Sequence, residues 1–268
     1  MKIAVIVTTY NRPDALDAVL RGYLCQSDAD FEILVADDGS TEETKDLVAK
    51  HGAASRVRIK HVWQEDLGFR AARIRNLAIA ATDSPYVIFT DGDCVPPGHF
   101  VASHRKLLEA SHFLAGNRIL LTESFTESVL SNHIPIHEWG MTEWAAARLQ
   151  GNINRLLPLV HLPDCCRKTT PNKWAGAKTC NLSAFREDLV EINGFDEAYT
   201  GWGLEDSDMV IRLIRAGIKY KSAKFACPVF HLWHKDNDRS RLDENSKRLE
   251  SILGDIRIRA SLGLDQYL

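Results

Sequence analysis

Asp91 and Asp93 are separated by a single glycine and directly follow an apolar run at residues 86–90. Two carboxylates placed in this way can bind a hard divalent cation, Mg²⁺ or Mn²⁺, and leave coordination positions for phosphate oxygens. Gly92 would let the backbone turn closely around a ligand. Asp-Gly is also ordinary turn chemistry with solvated acids, so both interpretations of this segment stay open.

A second acidic pair, Glu205 and Asp206, follows a Gly-Trp-Gly segment centred on Trp202. Acids at a helix N-terminus are favoured by the macrodipole, so capping alone would explain the pair. Alternatively, one carboxylate acts as a general base toward a hydroxyl, while the indole offers an apolar face to a sugar ring.

His231 and His234 follow a predicted strand that begins at Phe225. A neutral imidazole is a suitable third ligand for Mn²⁺ and would make metal binding pH-dependent. The alternative is a structural role for both histidines.

The elements that must position these residues are an alternating series of strands and helices. Short β-branched runs predict strands at 3–7, 32–36, 57–62 and 86–90, which indicates a mostly parallel sheet flanked by helices. Polar residues at 8–11, 37–40 and 91–93 follow three of these strands. Because the carboxyl ends of parallel strands lie at one edge of the sheet, we expect these residues to meet in one crevice.

Helices are predicted after Pro13, from a Ser40–Glu43 capping box, over 69–81 and over 205–216, where Gly217 ends the last one. The helix over 69–81 places Arg70, Arg73 and Arg75 near the crevice. One or more of them could neutralise a diphosphate, although a solvated face is the usual explanation for such charges.

Composition excludes several classes of protein. The chain has 268 residues, 33 basic and 36 acidic side chains and a net charge of −3, which argues against a nucleic-acid binder. No apolar stretch approaches the roughly 20 residues that span a bilayer. No glycine-rich dinucleotide or P-loop motif occurs. Six cysteines without C-x-x-C spacing indicate free thiols, and Cys165 and Cys166 stay unexplained.

Taken together, the segments resemble the family 2 glycosyltransferases of the GT-A fold. The segment 194–197 with 201–208 is similar to the GGFDE and WGxED segments of galactosyl- and N-acetylgalactosaminyltransferases. Asn193, just before it, stands where the family often has glycine. The likeness runs from Met1 to about Trp233 and is weak over 113–173. The matching residues are 8–12, 35–40, 68–70 with 75–76, 89–93, and 194–197 with 201–208.

The resemblance implies an α/β fold of the GT-A type, with a Rossmann-like, mostly parallel central sheet flanked by helices and a smaller acceptor-binding part. We expect a single domain over 1–268, divided into a nucleotide-binding half at 1–96, an acceptor-binding half at 97–235 and a C-terminal helical segment at 236–268.

The resemblance also implies roles for individual residues. Asp206 would be the general base, and the acceptor would contact Trp202, Gly203 and Glu205. The metal, Mn²⁺ or Mg²⁺, would be bound through a DXD motif by Asp91, Asp93 and His231, with His234 as the alternative histidine. The nucleotide sugar would contact Thr8, Tyr10, Arg12, Asp38, Arg70, Asn76, Asp91 and Gly92.

The implied activity is inverting, metal-dependent transfer of a hexose or N-acetylhexosamine from a UDP-sugar to a sugar hydroxyl of a glycan or lipid-linked acceptor. The alternatives are a nucleotidyltransferase acting on a sugar phosphate and a non-catalytic sugar-binding module. We expect a cytoplasmic location. The basic, amphipathic helix near the C-terminus either packs on its own domain, the favoured interpretation, or contacts the inner face of the cell membrane.

Overall fold

The computed structural model describes residues 1–161, 163–164 and 167–268, so Cys165 and Cys166 lie outside the described residues. The strands are β1 Ile3–Thr9, β2 Phe31–Asp37, β3 Arg58–Trp63, β4 Tyr86–Asp91, β5 Cys94–Val95, β6 His112–Ala115, β7 Arg118–Leu120, β8 Asn181–Phe185, β9 Lys219–Ser222 and β10 Val229–His231. The helices are α1 Pro13–Leu24, α2 Glu42–Ala54, α3 Ala71–Ala80, α4 Phe100–Leu107, α5 Glu123–Ser131, α6 Met141–Leu149, α7 Arg186–Glu191, α8 Glu205–Arg215 and α9 Leu242–Gly254.

The main sheet has seven strands in the order β3-β2-β1-β4-β8-β6-β9. The first four run parallel to one another, whereas β8 is antiparallel to both β4 and β6. The predicted α/β class with a mostly parallel sheet is therefore confirmed, and the four predicted strands agree with the structure to within two residues.

The sheet is buried on both faces, which explains the continuous apolar run of β1. Alternate side chains point to opposite faces of a strand. Accordingly, Val5 packs in one apolar layer with Leu16 of α1, and Ile6 packs in the other with Ile74 of α3. Residues 3–7 are fully buried. A strand covered on both faces needs no polar alternation.

A second, three-stranded sheet in the order β5-β10-β7 lies beside the end of β4. β10 pairs antiparallel with β5, so that His231 is opposite Cys94. The predicted strand start at Phe225 is wrong, because Phe225 has φ 60 and the strand begins at Val229. The pairing brings His231 next to the strand end that carries Asp93.

Two predicted helix starts need correction. The Ser40–Glu43 capping box does not form, because Ser40 Oγ accepts from Asn11 N at 2.8 Å and α2 begins at Glu42. The third helix begins at Ala71 rather than at residue 69, with Arg70 as its N-cap.

The C-terminal helix α9 packs on α8 through Leu249 and Ile252, both of which are buried with Ile211. Ile256 lies beyond the end of α9 and is 91% exposed, so it takes no part in the apolar face of this helix. Among the residues described, no helix combines the length and apolar character that crossing a bilayer requires.

Candidate active site

The site is built at the carboxyl ends of the central parallel strands. In the register of the sheet, Thr8 of β1 lies between Ala36 of β2 and Asp91 of β4. The predicted meeting of these three strand ends is therefore confirmed.

Gly92 is required by close packing between β4 and β1. Its N–H donates to Thr8 O at 2.7 Å. A Cβ at this position would lie 2.8 Å from Thr9 Oγ1 and 2.9 Å from Thr9 Cβ, closer than real contacts allow. Gly92 thus allows the backbone between Asp91 and Asp93 to pack closely against the end of β1.

Arg75 of α3 connects the strand ends to the second acidic pair. Its Nε donates to Thr8 Oγ1 at 3.1 Å, and its Nη1 donates to Glu205 Oε1 at 2.8 Å. Its Nη2 lies 3.5 Å from Asp91 Oδ1. Burial acts to lower the pKa of Arg75, but the charges of Glu205 and Asp91 outweigh it and raise that pKa. One buried guanidinium therefore joins three elements that are distant in the sequence.

Asp93, His231 and His234 form a candidate metal group. His231 Nε2 lies 3.7 Å from Asp93 Oδ1, and His234 Nε2 lies 3.4 Å from Asp93 Oδ2. One ligand atom from each residue lies within 4.8 Å of the other two. The structure thus brings both histidines to Asp93, where the sequence left a choice between them. Asp91 joins Asp93 in an adjacent group with Cys94.

Burial shifts the pKa values of the carboxyls and of the imidazole in this group in opposite directions. Burial raises the pKa of Asp91 and of Asp93, because neither carboxylate is well solvated. Burial also lowers the pKa of His231 to about 4, which leaves its imidazole neutral and able to act as a ligand at pH 7. A carboxylate with two imidazoles can bind a divalent first-row metal ion, the class to which Mn²⁺ belongs.

The expected nucleotide contacts lie on the β1 and β2 side of the site. Tyr10 is 48% exposed, and its hydroxyl donates to Asp66 Oδ2 at 2.9 Å. Asp38 is buried; its Oδ2 accepts from Arg70 N at 2.8 Å and its Oδ1 accepts from the Gln64 amide. Burial raises the pKa of Asp38.

Arg12 lies in the turn between β1 and α1. It is paired with Asp14 at 3.0 Å, and its positive charge helps to lower the pKa of Asp93 against the larger effect of burial.

Asn76 does not agree with the predicted nucleotide contact. Its side chain is fully buried, its Nδ2 donates to Phe195 O and Glu197 Oε1 at 2.9 Å, and its Oδ1 accepts from Phe195 N at 2.9 Å. These bonds use the amide to hold the loop that precedes the acidic pair. We therefore correct its role to a structural one.

The loop before α8 has an unusual backbone. Gly201, Gly203 and Leu204 all have positive φ, and Asn245 of α9 donates to Gly203 O at 3.0 Å. A Cβ on Gly201 would lie 2.8 Å from Arg241 Cβ. The loop is thus held in a conformation that favours glycine and that places Glu205 and Asp206 in the first turn of α8.

The acidic residues of α8 differ in their partners. Asp206 Oδ1 accepts from Lys178 Nζ at 3.3 Å and from Ser207 Oγ at 3.4 Å, whereas Oδ2 makes no hydrogen bond within the described residues. Glu205 Oε2 is buried and also has no partner there. Asp208, in contrast, is fully buried against Arg212, with Oδ1 to Nε at 2.8 Å.

Trp202 is half-buried at the same loop. The guanidinium carbon of Arg239 lies 5.1 Å from the centre of its ring, so one face of the indole already has a cation over it.

Sequence reasoning missed the connecting role of Arg75 and the contact of Lys178 with Asp206. The sequence predicted Arg75 only as one of three arginines that could neutralise a diphosphate, and it predicted a nucleotide contact for Asn76. Adjacent helical residues point in different directions, and it is Arg75 that faces the strand ends. Lys178 lies near the end of a stretch without periodic pattern, so no sequence signal pointed to it.

This architecture, with acidic residues at the strand ends and at the start of α8, is that of the GT-A glycosyltransferases. A mannosyltransferase from Pyrobaculum calidifontis, solved with GDP-Man and Mn²⁺, matches 94% of this chain and 63% of its own with a TM-score of 0.64 and 15% identity. S. aureus TarS (residues 1–349), solved with UDP-GlcNAc, matches 100% of this chain and 69% of its own with a TM-score of 0.59 and 14% identity. At 14–15% sequence identity, these similarities show a shared fold and do not by themselves show a shared activity.

The chain belongs to glycosyl transferase family 2, whose family model matches residues 4–169. A model described as the N-terminal domain of galactosyltransferase matches residues 165–235. The validoxylamine A glucosyltransferase of Streptomyces hygroscopicus subsp. jinggangensis is 33% identical over 226 residues, which are 81% of this chain and 52% of that protein. The chondroitin synthase of Escherichia coli is 29% identical over 238 residues, 84% of this chain and 34% of that protein. The chain thus spans about half the length of the validoxylamine A glucosyltransferase and about a third of the length of the chondroitin synthase.

Proposed function

We propose that this chain transfers a hexose or N-acetylhexosamine from a UDP-sugar to a sugar hydroxyl of a glycan, with inversion at the anomeric carbon. The contact of Arg75 with both Asp91 and Glu205 carries this proposal. It brings Asp206, the neighbour of Glu205, to the edge of the sheet where the diphosphate would lie.

In the proposed reaction, Asp206 Oδ2 accepts the proton of the acceptor hydroxyl, since Oδ1 is already bonded to Lys178 and Ser207. The acceptor oxygen then forms a bond to the anomeric carbon while the bond from that carbon to the UDP oxygen breaks. A single displacement of this kind inverts the configuration. No covalent intermediate on the protein is required.

A divalent cation, Mn²⁺ or Mg²⁺, would be held by Asp93 with His231, His234 and Asp91, and when bound it would neutralise charge on the departing diphosphate. The donor set and its burial support this assignment. The Mn²⁺ in the Pyrobaculum mannosyltransferase structure supports it by analogy of fold.

For the donor, we propose that Tyr10 contacts the uracil ring, that Asp38 accepts from its N–H, and that Thr8, Arg12 and Arg70 lie along the ribose and diphosphate. The exposure of the Tyr10 ring supports its role as a base contact. On the acceptor side, Trp202, Gly203 and Glu205 would position the sugar. The unpartnered Glu205 Oε2 is an acceptor for one of its hydroxyls.

The division into a nucleotide-binding half at 1–96, an acceptor-binding half at 97–235 and a helical segment at 236–268 belongs to the same proposal, as does a cytoplasmic location. Relatives named for glucosyl transfer and for chondroitin synthesis support a glycan or glycoside acceptor.

The decisive experiment is a panel of nucleotide sugars assayed for release of the nucleoside diphosphate, with and without Mn²⁺, in the presence of mixed oligosaccharide acceptors. We expect UDP release that depends on the metal. Consumption of a nucleoside triphosphate with release of pyrophosphate would instead identify a nucleotidyltransferase. Sugar binding without turnover of any donor would identify a binding module.

A further inference from the structure

Cys25, His137 and Glu138 form a second group of side chains that could hold a metal ion. One ligand atom from each of them lies within 4.8 Å of the other two. The group shares no residue with the metal group at Asp93. A thiol, an imidazole and a carboxylate therefore converge at a point that the proposed glycosyl transfer does not use.

The imidazole of His137 is buried without a hydrogen bond. Its side chain is only 8% exposed, and Glu138 Oε1, at 3.6 Å from its Nε2, is beyond hydrogen-bond distance. Neither ring nitrogen bonds to any residue that the structure describes. The comparably buried His51 and His61 accept or donate at 2.8 Å to Asp17 and Asp37. Because buried polar groups are nearly always bonded, the His137 ring needs a partner, and a metal ion is one that it can bind.

The other two side chains of the group are free to bind and open to solvent. Within residues 1–161, 163–164 and 167–268, neither the thiol of Cys25 nor the carboxylate of Glu138 makes a hydrogen bond. Glu138 is 63% exposed at its side chain. Cys25 is exposed, whereas Cys94, Cys180 and Cys227 are buried. A metal ion can therefore reach the group from solvent, and no ligand atom has to give up a hydrogen bond to bind it.

The backbone holds both sides of the group in place. Cys25 is the C-cap of α1, and its N–H donates to Arg21 O at 3.2 Å. The other two ligands lie in a 3-10 turn at 136–138, which the buried side chain of Ile136 anchors in the apolar core. The charge of Arg21, one turn before Cys25, is paired with Asp17 at 2.7 Å. This cation is therefore balanced by an acid of its own helix.

The spacing and the chemistry of the ligands fit Zn²⁺. Zinc binds nitrogen and oxygen at about 2.0–2.1 Å and sulfur at about 2.3 Å, so tetrahedral ligand atoms lie roughly 3.3–3.6 Å apart. The 3.6 Å between His137 and Glu138 agrees with this spacing. Movement of the exposed Cys25 side chain by roughly 1 Å would complete the set. Hard cations such as Mg²⁺ prefer oxygen ligands alone, whereas zinc binds all three kinds.

We propose that Cys25, His137 and Glu138 bind Zn²⁺, with a water molecule in the fourth position. Three protein ligands leave one corner of the tetrahedron open. The thiol gives up its proton to solvent as the bond from sulfur to zinc forms. The ion would connect the end of α1 to the turn at 136–138, more than a hundred residues later in the sequence. This site does not depend on the proposed function, because none of its ligands takes part in the proposed reaction.

The first test uses the wild-type protein and follows the alkylation of Cys25 by iodoacetamide, read by mass spectrometry of the peptide that carries this residue. We expect Zn²⁺ in slight molar excess to slow the alkylation at least tenfold, because a sulfur bound to zinc is a poorer nucleophile than a free thiolate. Mg²⁺ at the same concentration should leave the rate unchanged. An unchanged rate with Zn²⁺ would overturn the inference, since zinc held only at Asp93 does not cover Cys25.

The second test replaces zinc by Co²⁺, whose bond to a thiolate gives a charge-transfer band in the near ultraviolet. We expect this band in the wild-type protein and its loss in Cys25→Ser. The matched control is Cys94→Ala, because Cys94 is the other thiol beside a candidate metal group, with Asp91 and Asp93. The control should keep the band. Loss of the band in Cys94→Ala but not in Cys25→Ser would place the ion at the other group and overturn the inference.

Titration of the same band measures the affinity of this site alone. His137→Asn should weaken Co²⁺ binding by at least about tenfold, since even residues that only support metal ligands typically have effects of 10–100-fold. The exposed His133, four residues earlier, is the control, and His133→Asn should retain the affinity. Thermal unfolding checks that all variants are folded. Unchanged affinity in His137→Asn, or an equal loss in both histidine variants, would contradict the assignment of His137 as a ligand.

Discussion

Arg75 and Glu205 form a buried ion pair, 2.8 Å from Nη1 to Oε1, between residues 130 positions apart in the sequence. Both side chains are less than a tenth exposed. Because Arg75 also contacts Thr8 and Asp91, this pair ties the start of α8 to the ends of β1 and β4.

Replacing Arg75 by Met should destabilise the protein by about 3–5 kcal/mol, since it leaves the Glu205 carboxylate buried without its cation. The double variant Arg75→Met/Glu205→Met removes both charges and should recover most of that loss, while activity stays low. Urea unfolding of the single and double variants measures the difference. Additive losses in the double variant would show that the pair has no coupling.

The two acids Asp206 and Asp208 should respond in opposite ways to the same change. Asp206→Asn removes the proposed base and should lower kcat by roughly 10²–10⁴, with little change in stability or donor affinity. Asp208→Asn breaks a buried pair with Arg212 and should cost about 3–5 kcal/mol of stability. Steady-state kinetics and unfolding curves on both variants separate the effects. Unchanged turnover in Asp206→Asn would remove it as the base.

Asp93→Asn should weaken binding of Mn²⁺ by at least about tenfold, because even residues that only support metal ligands typically have effects of 10–100-fold. His231→Gln and His234→Gln should each weaken binding as well, since both imidazoles lie near Asp93. Titration of Mn²⁺ by electron paramagnetic resonance in the presence of UDP measures the affinity. The matched control is Asp236→Asn, whose carboxylate is 83% exposed. Full activity after treatment with a chelator would contradict the metal assignment.

Asn76→Ala should lower stability by roughly 1–3 kcal/mol, because it leaves the buried backbone groups of Phe195 without partners. Donor affinity, measured by titration with UDP, should change little. The exposed Asn132 is a control, since Asn132→Ala removes only one bond to Ser128 O. A large loss of UDP affinity at unchanged stability would restore Asn76 as a nucleotide contact.

His104 should make stability depend on pH. It is fully buried between Ser183 and Asn181, and burial lowers its pKa to about 4. Between pH 6.5 and 4 the unfolded chain binds a proton that the folded protein does not, so this residue makes stability fall as pH falls, by about 3 kcal/mol at pH 4.

The variant His104→Gln should lose that contribution, and its unfolding free energy should vary less steeply with pH by about one proton over this range. Urea unfolding at a series of pH values measures the slope. The exposed His133 provides the comparison, because His133→Asn should keep the steep dependence. Equal slopes in wild type and His104→Gln would contradict the assignment.

The strands of the first half could be predicted from the sequence because a strand buried on both faces is a continuous apolar run, as β1 shows. The meeting of Thr8, Asp38 and Asp91 followed from the geometry of parallel sheets. The pairing of β10 with β5 could not be predicted in this way, since nothing local to the short run 229–231 specifies an antiparallel partner more than a hundred residues earlier. For the same reason the sequence could not decide between His231 and His234 as the metal ligand, and the fold places both beside Asp93.

The roles of Arg75 and Asn76 depended on which way each side chain leaves α3, which spacing alone does not settle when both faces of the helix are covered. Ser40 and Glu43 have the spacing of a capping box, but the Ser40 hydroxyl oxygen accepts a hydrogen bond from the backbone N–H of Asn11 instead of capping the helix. In each case a local rule was overridden by a contact from a distant segment.

The position of β8 has a consequence for dissection of the molecule. This strand comes from the second half of the chain, yet it is hydrogen-bonded to β4 of the first half through five residue pairs, from Tyr86 with Phe185 to Thr90 with Asn181. Fragments cut near residue 96 would each expose a bare, apolar strand edge that invites aggregation. The portions proposed to bind the donor and the acceptor should therefore be obtainable only together, and grafting one of them onto a relative would require transferring β8 along with β4.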